Sequence, residues 1–138
     1  MIIDATNKIL GRLATQVAKQ ALLGEEVKII HCDKAIITGN RSDILGKYKK
    51  RSERGIPTKG PFIPRMSDRF VRRAIRGMLP YKQPKGREAF KRVLCYVDLP
   101  KEFEGKEVAS LTIADNTKLP NTNFTTVKEI CEFLGGTA

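Results

Sequence analysis

The sequence predicts an α/β fold, a three-layer α/β/α sandwich around a small, mostly parallel sheet with long basic loops. Two observations predict it. An apolar run, an amphipathic segment and a second apolar run follow one another within residues 1–38, which is the order of a right-handed β-α-β unit. Further amphipathic segments then alternate with connections rich in Pro and Gly. The 138 residues are enough for one hydrophobic core, so we expect a single domain over residues 1–138.

The first third of the chain supplies the β-α-β unit. Residues 1–4, MIID, form a short apolar run that is expected as a buried strand. Apolar residues recur every three or four positions over 10–24, which predicts an amphipathic helix that Gly24 ends. The β-branched runs VKIIHC and KAIITG then predict two extended segments.

Helices and basic connections alternate in the middle of the chain. Ser42 is expected to cap one helix and Ser67 another, and the second helix ends before Pro80. Between them, residues 52–65 hold three prolines and two glycines, which predicts a long, basic, extended loop. After a second basic loop, YKQPKG, residues 87–97 predict a third basic helix.

The last third of the chain has a different character. Residues 108–113 predict an extended segment, and TTVKEICEFLGG predicts a short closing helix with glycines at its end. Residues 98–138 contain 4 Lys and Arg against 7 Asp and Glu, whereas residues 41–92 contain 17 against 4. The net charge of +11 is therefore concentrated in one region, which indicates one anion-facing side and a polyanionic partner.

One predicted helix concentrates this charge. Arg69, Arg72, Arg73 and Arg76 are spaced so that they share one side of a helix, where like charges repel unless an anion neutralises them. Arginine favours phosphate because its planar group binds two oxygens at once. Since a solvated stripe contributes little to stability, the substitution Arg72→Glu is predicted to weaken RNA binding and to leave the melting temperature nearly unchanged.

The nucleic acid is expected to be RNA. The sequence lacks a helix-turn-helix, a zinc module and a basic zipper, and long basic loops suit irregular RNA backbone. Tyr48, Phe62 and Tyr81 accompany basic residues and are candidates for stacking on bases, with core packing an equal alternative for Tyr48.

Enzyme and metal sites are not predicted. Residues 39–48 have the wrong spacing for a phosphate loop, and the single His31 has no nucleophile paired with it in the sequence. Turn and cap roles are expected for Asp4 and Asp33. Cys32, Cys95 and Cys131 form neither a disulfide framework nor a zinc motif, so a reducing cytoplasm is expected, without a membrane segment or targeting signal. No cofactor and no small-molecule substrate are predicted.

Three blocks carry a family likeness. RAIRGMLPYKQPKGREAFKRVLCY resembles the signature region of the L13 family of large-subunit ribosomal proteins, and IIDATNKILGRLATQVAKQAL and GEEVKIIHCDKAIITGN resemble its N-terminal strands and helix. The segment GPFIPRMSDRF is more similar to archaeal members than to bacterial ones. The resemblance implies a non-catalytic constituent of the cytoplasmic large ribosomal subunit that binds 23S-type ribosomal RNA beside other ribosomal proteins. The alternative is a freestanding RNA-binding regulator.

Sixteen basic residues are the predicted RNA contacts. Those placed by the resemblance lie in the matching block, which begins at Arg73, or up to four residues before it: Arg69, Arg72, Arg73, Arg76, Lys82, Lys85, Arg87, Lys91 and Arg92. Those placed mainly by charge precede it: Lys47, Lys49, Lys50, Arg51, Arg54, Lys59 and Arg65. Gly77 is expected to permit a close approach of helix or backbone.

Overall fold

A computed structural model describes residues 1–136 of the chain. These residues form, in chain order, β1 (Ile2–Asp4), α1 (Leu10–Leu22), β2 (Val27–Ile30), β3 (Ile36–Thr38), α2 (Arg41–Glu53), α3 (Ser67–Gly77), α4 (Pro84–Lys91), β4 (Val93–Cys95), β5 (Phe124–Thr126) and α5 (Val127–Phe133). None of these helices combines the length and the apolar character that crossing a bilayer requires.

The strands form a small, mostly parallel sheet and a separate two-stranded pair. In the first sheet β2 lies between β1 and β4 and is parallel to both, with Ile29 opposite Ile3 on one side and Cys95 on the other. In the second, β3 pairs with β5 in antiparallel orientation. The predicted α/β fold around a mostly parallel sheet is confirmed.

Helices α1, α3 and α4 pack on one face of the parallel sheet. Ile3, Val27, Ile29 and Val93 project from this face into the main core and are fully buried. Helix α1 also packs against α3 and α4, so these two helices of the basic region are attached to the hydrophobic core through α1. On the opposite face, where the sequence predicts a third layer of helices, Lys28 lies 4.9 Å from the ring centroid of Phe103, a buried residue of the 3-10 turn Lys101–Phe103.

Two predicted helix caps are wrong by one or two positions. Helix α2 begins at Arg41, so Asn40 takes the cap position that the sequence assigned to Ser42. Helix α3 begins at Ser67 itself, and the extended backbone of Met66 precedes it. Ser67 is fully buried, so its side chain is held in the interior rather than over the free N–H groups of the first turn.

The third basic helix predicted over residues 87–97 is also only half right. Helix α4 starts earlier, at Pro84, whose missing N–H and fixed φ suit a first turn. It ends at Lys91, and Val93–Cys95 form the edge strand β4 because β2 offers its backbone as a pairing partner. Of the extended segment predicted over 108–113, only Ala109 pairs, with Ile3, before a 3-10 turn over Thr112–Ala114.

Candidate nucleic-acid interface

Thirteen of the sixteen predicted contact residues have exposed side chains, and we call these thirteen the basic surface. They come from α2, the connection that follows it, α3, and the α4 region: Lys47, Lys49, Lys50, Arg51, Arg54, Lys59, Arg65, Arg69, Arg73, Lys82, Lys85, Arg87 and Lys91. Among residues 1–136, none of the thirteen forms an ion pair with a carboxylate. Their charge is therefore open to an external anion.

The connection between α2 and α3 is irregular, as predicted, but its tip is compact. Two backbone N–H groups, of Lys59 and Gly60, donate to the carbonyl of Ile56 at 3.1 and 2.6 Å. Gly55 has a φ of 81°, and a Cβ there would overlap Gly60. Both glycines are therefore required by the close approach of the two ends of this turn.

Helix α3 carries two exposed arginines on the side that the sequence analysis identified. Arg69 and Arg73 are exposed, whereas Phe70, Val71 and Ile75 are buried against the core. The guanidinium of Arg73 donates to the carbonyl oxygen of Phe62 at 3.3 Å, which ties the helix to the preceding loop. No other side-chain hydrogen bond or ion pair of Arg73, and none of Arg69, is formed within residues 1–136.

Arg72 has a different environment from the one its spacing suggests. Its Nε and one terminal nitrogen donate to the carbonyl oxygens of Val93 and Phe90 at 3.1 and 3.3 Å. Its guanidinium also lies 4.1 Å from the ring centroid of Phe90. Arg72 is half-buried and joins α3 to the α4–β4 junction. These contacts argue against the predicted neutrality of Arg72→Glu for stability, and we expect this substitution to lower the melting temperature.

Two more predicted contact residues are half-buried. Arg92 donates to the carbonyl oxygen of Ala21 at 3.0 Å, in the last turn of α1, and this oxygen also accepts from the backbone N–H of Gly24 at 3.2 Å. Arg76 lies over the ring of Tyr81, 4.9 Å from its centroid. Both side chains therefore make contacts within the protein, Arg92 by a hydrogen bond and Arg76 by a cation–π contact.

The glycine that permits a close approach is Gly86, not Gly77 as predicted. A Cβ at Gly77 would meet nothing within 4 Å. At Gly86 a Cβ would overlap the carbonyl group of Pro80 and would lie 2.8 Å from the nitrogen of Tyr81. The absence of a side chain at Gly86 therefore lets α4 pack directly on the turn that follows α3.

The three aromatic candidates divide into two classes. Tyr48 is half-buried and packs on Phe70 with 5.2 Å between the ring centroids, which favours the core alternative for its ring. Phe62 and Tyr81 are 66% and 39% exposed, so both rings are accessible to a base, with one face of Tyr81 already covered by Arg76.

His31 is satisfied by a turn carboxylate rather than paired with a nucleophile. Its Nδ1 lies 3.1 Å from Oδ1 of Asp4, which also accepts hydrogen bonds from the backbone N–H and hydroxyl of Thr6. The turn role predicted for Asp4 is thus confirmed. Burial raises the pKa of Asp4, but the hydrogen bonds from Thr6 and His31 outweigh it and leave the pKa below its ordinary value.

The three cysteines are free thiols. Hydrogen bonding with Cys95, and then burial, raises the pKa of Cys32, and burial raises the pKa of Cys131. Both therefore stay protonated at neutral pH, which is unfavourable for nucleophilic or metal-binding thiolate chemistry. Within residues 1–136, no three His, Cys, Asp or Glu side chains converge in the manner of a metal site.

One cation next to the basic region, Lys19, is not among the sixteen predicted contacts. Lys19 of α1 is exposed and lines a groove between α1 and Met78, the residue that follows α3. The charge count of residues 41–92 does not include Lys19, because it precedes that region by 22 positions in the chain. The spacing of apolar residues in α1 predicts which side of this helix is buried. Which part of the basic region Lys19 lies next to depends on the packing of α1 on α3, which the spacing does not reveal.

Comparisons with known proteins agree with the likeness carried by the three sequence blocks. A family model described as Ribosomal protein L13 matches residues 1–102. Proteins named Large ribosomal subunit protein uL13 are similar over nearly the full chain. The one from Methanocaldococcus jannaschii is 45% identical, with 97% of this chain and 96% of the relative covered.

Two further relatives bear the same name. The protein from Natronomonas pharaonis is 44% identical, with 98% of this chain and 90% of the relative covered. The one from Methanopyrus kandleri is 43% identical, with 97% and 86% covered. A family model that spans most of the chain and relatives at this identity confirm the resemblance: the chain belongs to the L13 family of ribosomal proteins.

Proposed function

We propose that this protein is a structural constituent of the large ribosomal subunit that binds large-subunit ribosomal RNA. The observation that carries the proposal is the basic surface, thirteen exposed cations of residues 47–91 without a carboxylate partner among residues 1–136. Membership of the L13 family gives the polyanion its identity, because the relatives are named as proteins of the large ribosomal subunit.

The α/β fold serves as a rigid mount for this surface. Helix α3 presents Arg69 and Arg73 outward while Phe70, Val71 and Ile75 anchor it in the core. Because the backbone of a helix is already ordered, binding of phosphate by these cations costs side-chain entropy but no ordering of the backbone. The protein neutralises phosphates where RNA segments converge and so stabilises the fold of the RNA, with no catalytic step of its own.

The side of the chain outside the basic region has a different role. Residues 98–138 carry a slight excess of acidic side chains, which disfavours contact with RNA and favours a neighbouring ribosomal protein. The buried core residues of α5, Val127, Ile130 and Cys131, fix this part against α3 and the 3-10 turn that precedes β3. One chain therefore joins an RNA-facing side to a protein-facing side.

A salt titration with large-subunit ribosomal RNA tests RNA binding by charge neutralisation. The logarithm of the affinity should fall linearly with the logarithm of salt concentration, with a slope of about 0.7 to 0.9 for each phosphate contact. Lys49→Gln should lower the magnitude of this slope by the contribution of about one phosphate contact, about 0.7 to 0.9. The matched control is Lys118→Gln, which removes an exposed lysine outside the basic region and should leave the slope unchanged.

Two results would contradict the proposal. One is an affinity that stays constant as salt concentration increases, because binding without phosphate contacts has no such dependence. The other is an equal reduction of the slope by both substitutions, since net charge rather than the basic surface would then govern binding.

A further inference from the structure

A cavity of about 460 Å³ lies where α2, the α2–α3 connection and α3 meet. Its volume is within the range of about 300 to 1,000 Å³ typical of sites for small organic groups. The cavity opens inside the basic surface, since three of the thirteen residues of that surface, Arg51, Arg54 and Arg73, line it.

The floor and walls of this cavity are apolar and partly aromatic. Leu10 and Phe70 are buried beneath it, and Ile63 and Pro64 from the connection form a wall. The ring of Tyr48 meets that of Phe70 at 60°, with 5.2 Å between centroids. A flat aromatic group can therefore contact the part of the half-buried Tyr48 ring that lines the cavity and aliphatic side chains at the same time.

The rim is cationic. Arg51 lies over the ring of Tyr48, 5.6 Å from its centroid, and Arg73 is held toward the connection by its hydrogen bond to Phe62. No Asp or Glu of residues 1–136 lines the cavity. Three guanidiniums around an apolar depression complement a group that is flat and apolar in the middle and anionic at both ends.

A nucleotide of single-stranded RNA has this distribution of polarity, with a base between two phosphates. An apolar side chain from a neighbouring protein would fill the depression, but it would leave the three arginines without anions unless acidic residues flanked it. We propose that the cavity binds one unpaired nucleotide of ribosomal RNA, with the base against Tyr48, Phe70 and Ile63 and the flanking phosphates on the arginines. This inference rests on the proposed function, since it requires an RNA partner.

Filling the cavity tests the inference. Gly77 lines the cavity, and a Cβ there meets nothing within 4 Å, so Gly77→Leu adds a side chain to the open space without a backbone clash. Gly11→Leu is the matched control, because Gly11 is an exposed helical glycine with open space around it and outside the cavity. Ala74→Leu, at a half-buried position of the cavity lining, is a second filling variant should Gly77→Leu fail to fold.

Each folded variant is bound to full-length large-subunit ribosomal RNA, and base reactivity is mapped with reagents that modify unpaired bases. The wild-type protein and Gly11→Leu should protect one unpaired base. Both filling variants should restore its reactivity to within about twofold of free RNA and should weaken binding roughly 10-fold, within the range expected for loss of one stacked base. Protections elsewhere on the RNA should remain.

Three outcomes would overturn the inference, and they are distinguishable. Unchanged protection and affinity in both filling variants would show that the cavity holds no base, while RNA binding itself would stand. Failure of the wild-type protein to bind the RNA at all would remove the proposed function together with the cavity inference. In assembled subunits, a benzophenone amino acid introduced at Ile63 should crosslink to RNA, and a crosslink to a protein would assign the cavity to a neighbouring chain.

Discussion

The guanidinium of Arg72 lies over the ring of Phe90, 4.1 Å from its centroid, and donates to the carbonyl oxygen of the same residue at 3.3 Å. A second hydrogen bond, from its Nε to the carbonyl oxygen of Val93, is 3.1 Å long. Arg72 thus connects three elements, α3, α4 and β4. Arg69, one turn earlier on the same helix, is exposed.

Arg72 and Arg69 should therefore differ in what they contribute. Arg72→Ala should lower the free energy of unfolding by about 1 to 3 kcal/mol, since two charged hydrogen bonds and a cation–π contact are lost. Arg69→Ala should change it by less than about 0.5 kcal/mol and should weaken binding to ribosomal RNA. Urea unfolding and filter binding measure the two effects. Equal losses of stability would contradict this division of roles.

Two glycines provide an independent test of the packing between α4 and the turn after α3. Gly86→Ala should destabilise the protein by about 1 to 3 kcal/mol or more, because its methyl group overlaps the carbonyl of Pro80 and the backbone must move. Gly77→Ala should be neutral or stabilising by up to about 1 kcal/mol, since it adds a methyl group to open space at the end of a helix. Thermal unfolding of both variants decides the question, and a Gly86→Ala protein as stable as the wild type would disprove the close approach.

The turn after β1 predicts a dependence of stability on pH. Because its hydrogen bonds hold the pKa of Asp4 below the ordinary value, the folded protein binds this proton less tightly than the unfolded chain does. The stabilisation is therefore complete above the unfolded pKa of about 3.9 and is lost as pH falls through the lower folded value.

Asp4→Asn isolates this contribution. The difference in unfolding free energy between wild type and Asp4→Asn should shrink as pH falls below about 4. Asp98→Asn, at an exposed carboxylate, is the matched control and should show a smaller change over the same range. A difference that grows as the solution becomes more acidic would have the wrong sign.

Features that depend on neighbouring residues in the chain were predictable from the sequence. Helix α1 follows from the spacing of its apolar residues, and its C-terminal turn contains Gly24 with a φ of 101°, as the position of that glycine predicts. The short closing helix α5 likewise follows from Val127, Ile130 and Cys131. In both helices, the residues that are buried are the apolar ones that recur every three or four positions on one side.

Features that depend on distant residues were not predictable. Strand β4 exists because β2 lies beside it, and three residues after a helix carry no clear periodicity of their own. Arg69 and Arg72 have the same residue type and share one side of α3, but the carbonyls that Arg72 binds lie 18 and 21 positions further along the chain. Likewise, the sequence does not show that a Cβ would be tolerated at Gly77 but not at Gly86, because the clash at Gly86 comes from the backbone of Pro80, which only the fold brings close.

If this chain is a constituent of the large ribosomal subunit, it should stay on the particle at high salt. The measurement is to isolate large subunits from the cells that produce the protein, wash them in high salt and count copies of the chain per particle by mass spectrometry. We expect one copy in each washed subunit. Complete loss on washing, with most of the protein in the free pool, would contradict the claim and would favour a freestanding RNA-binding regulator.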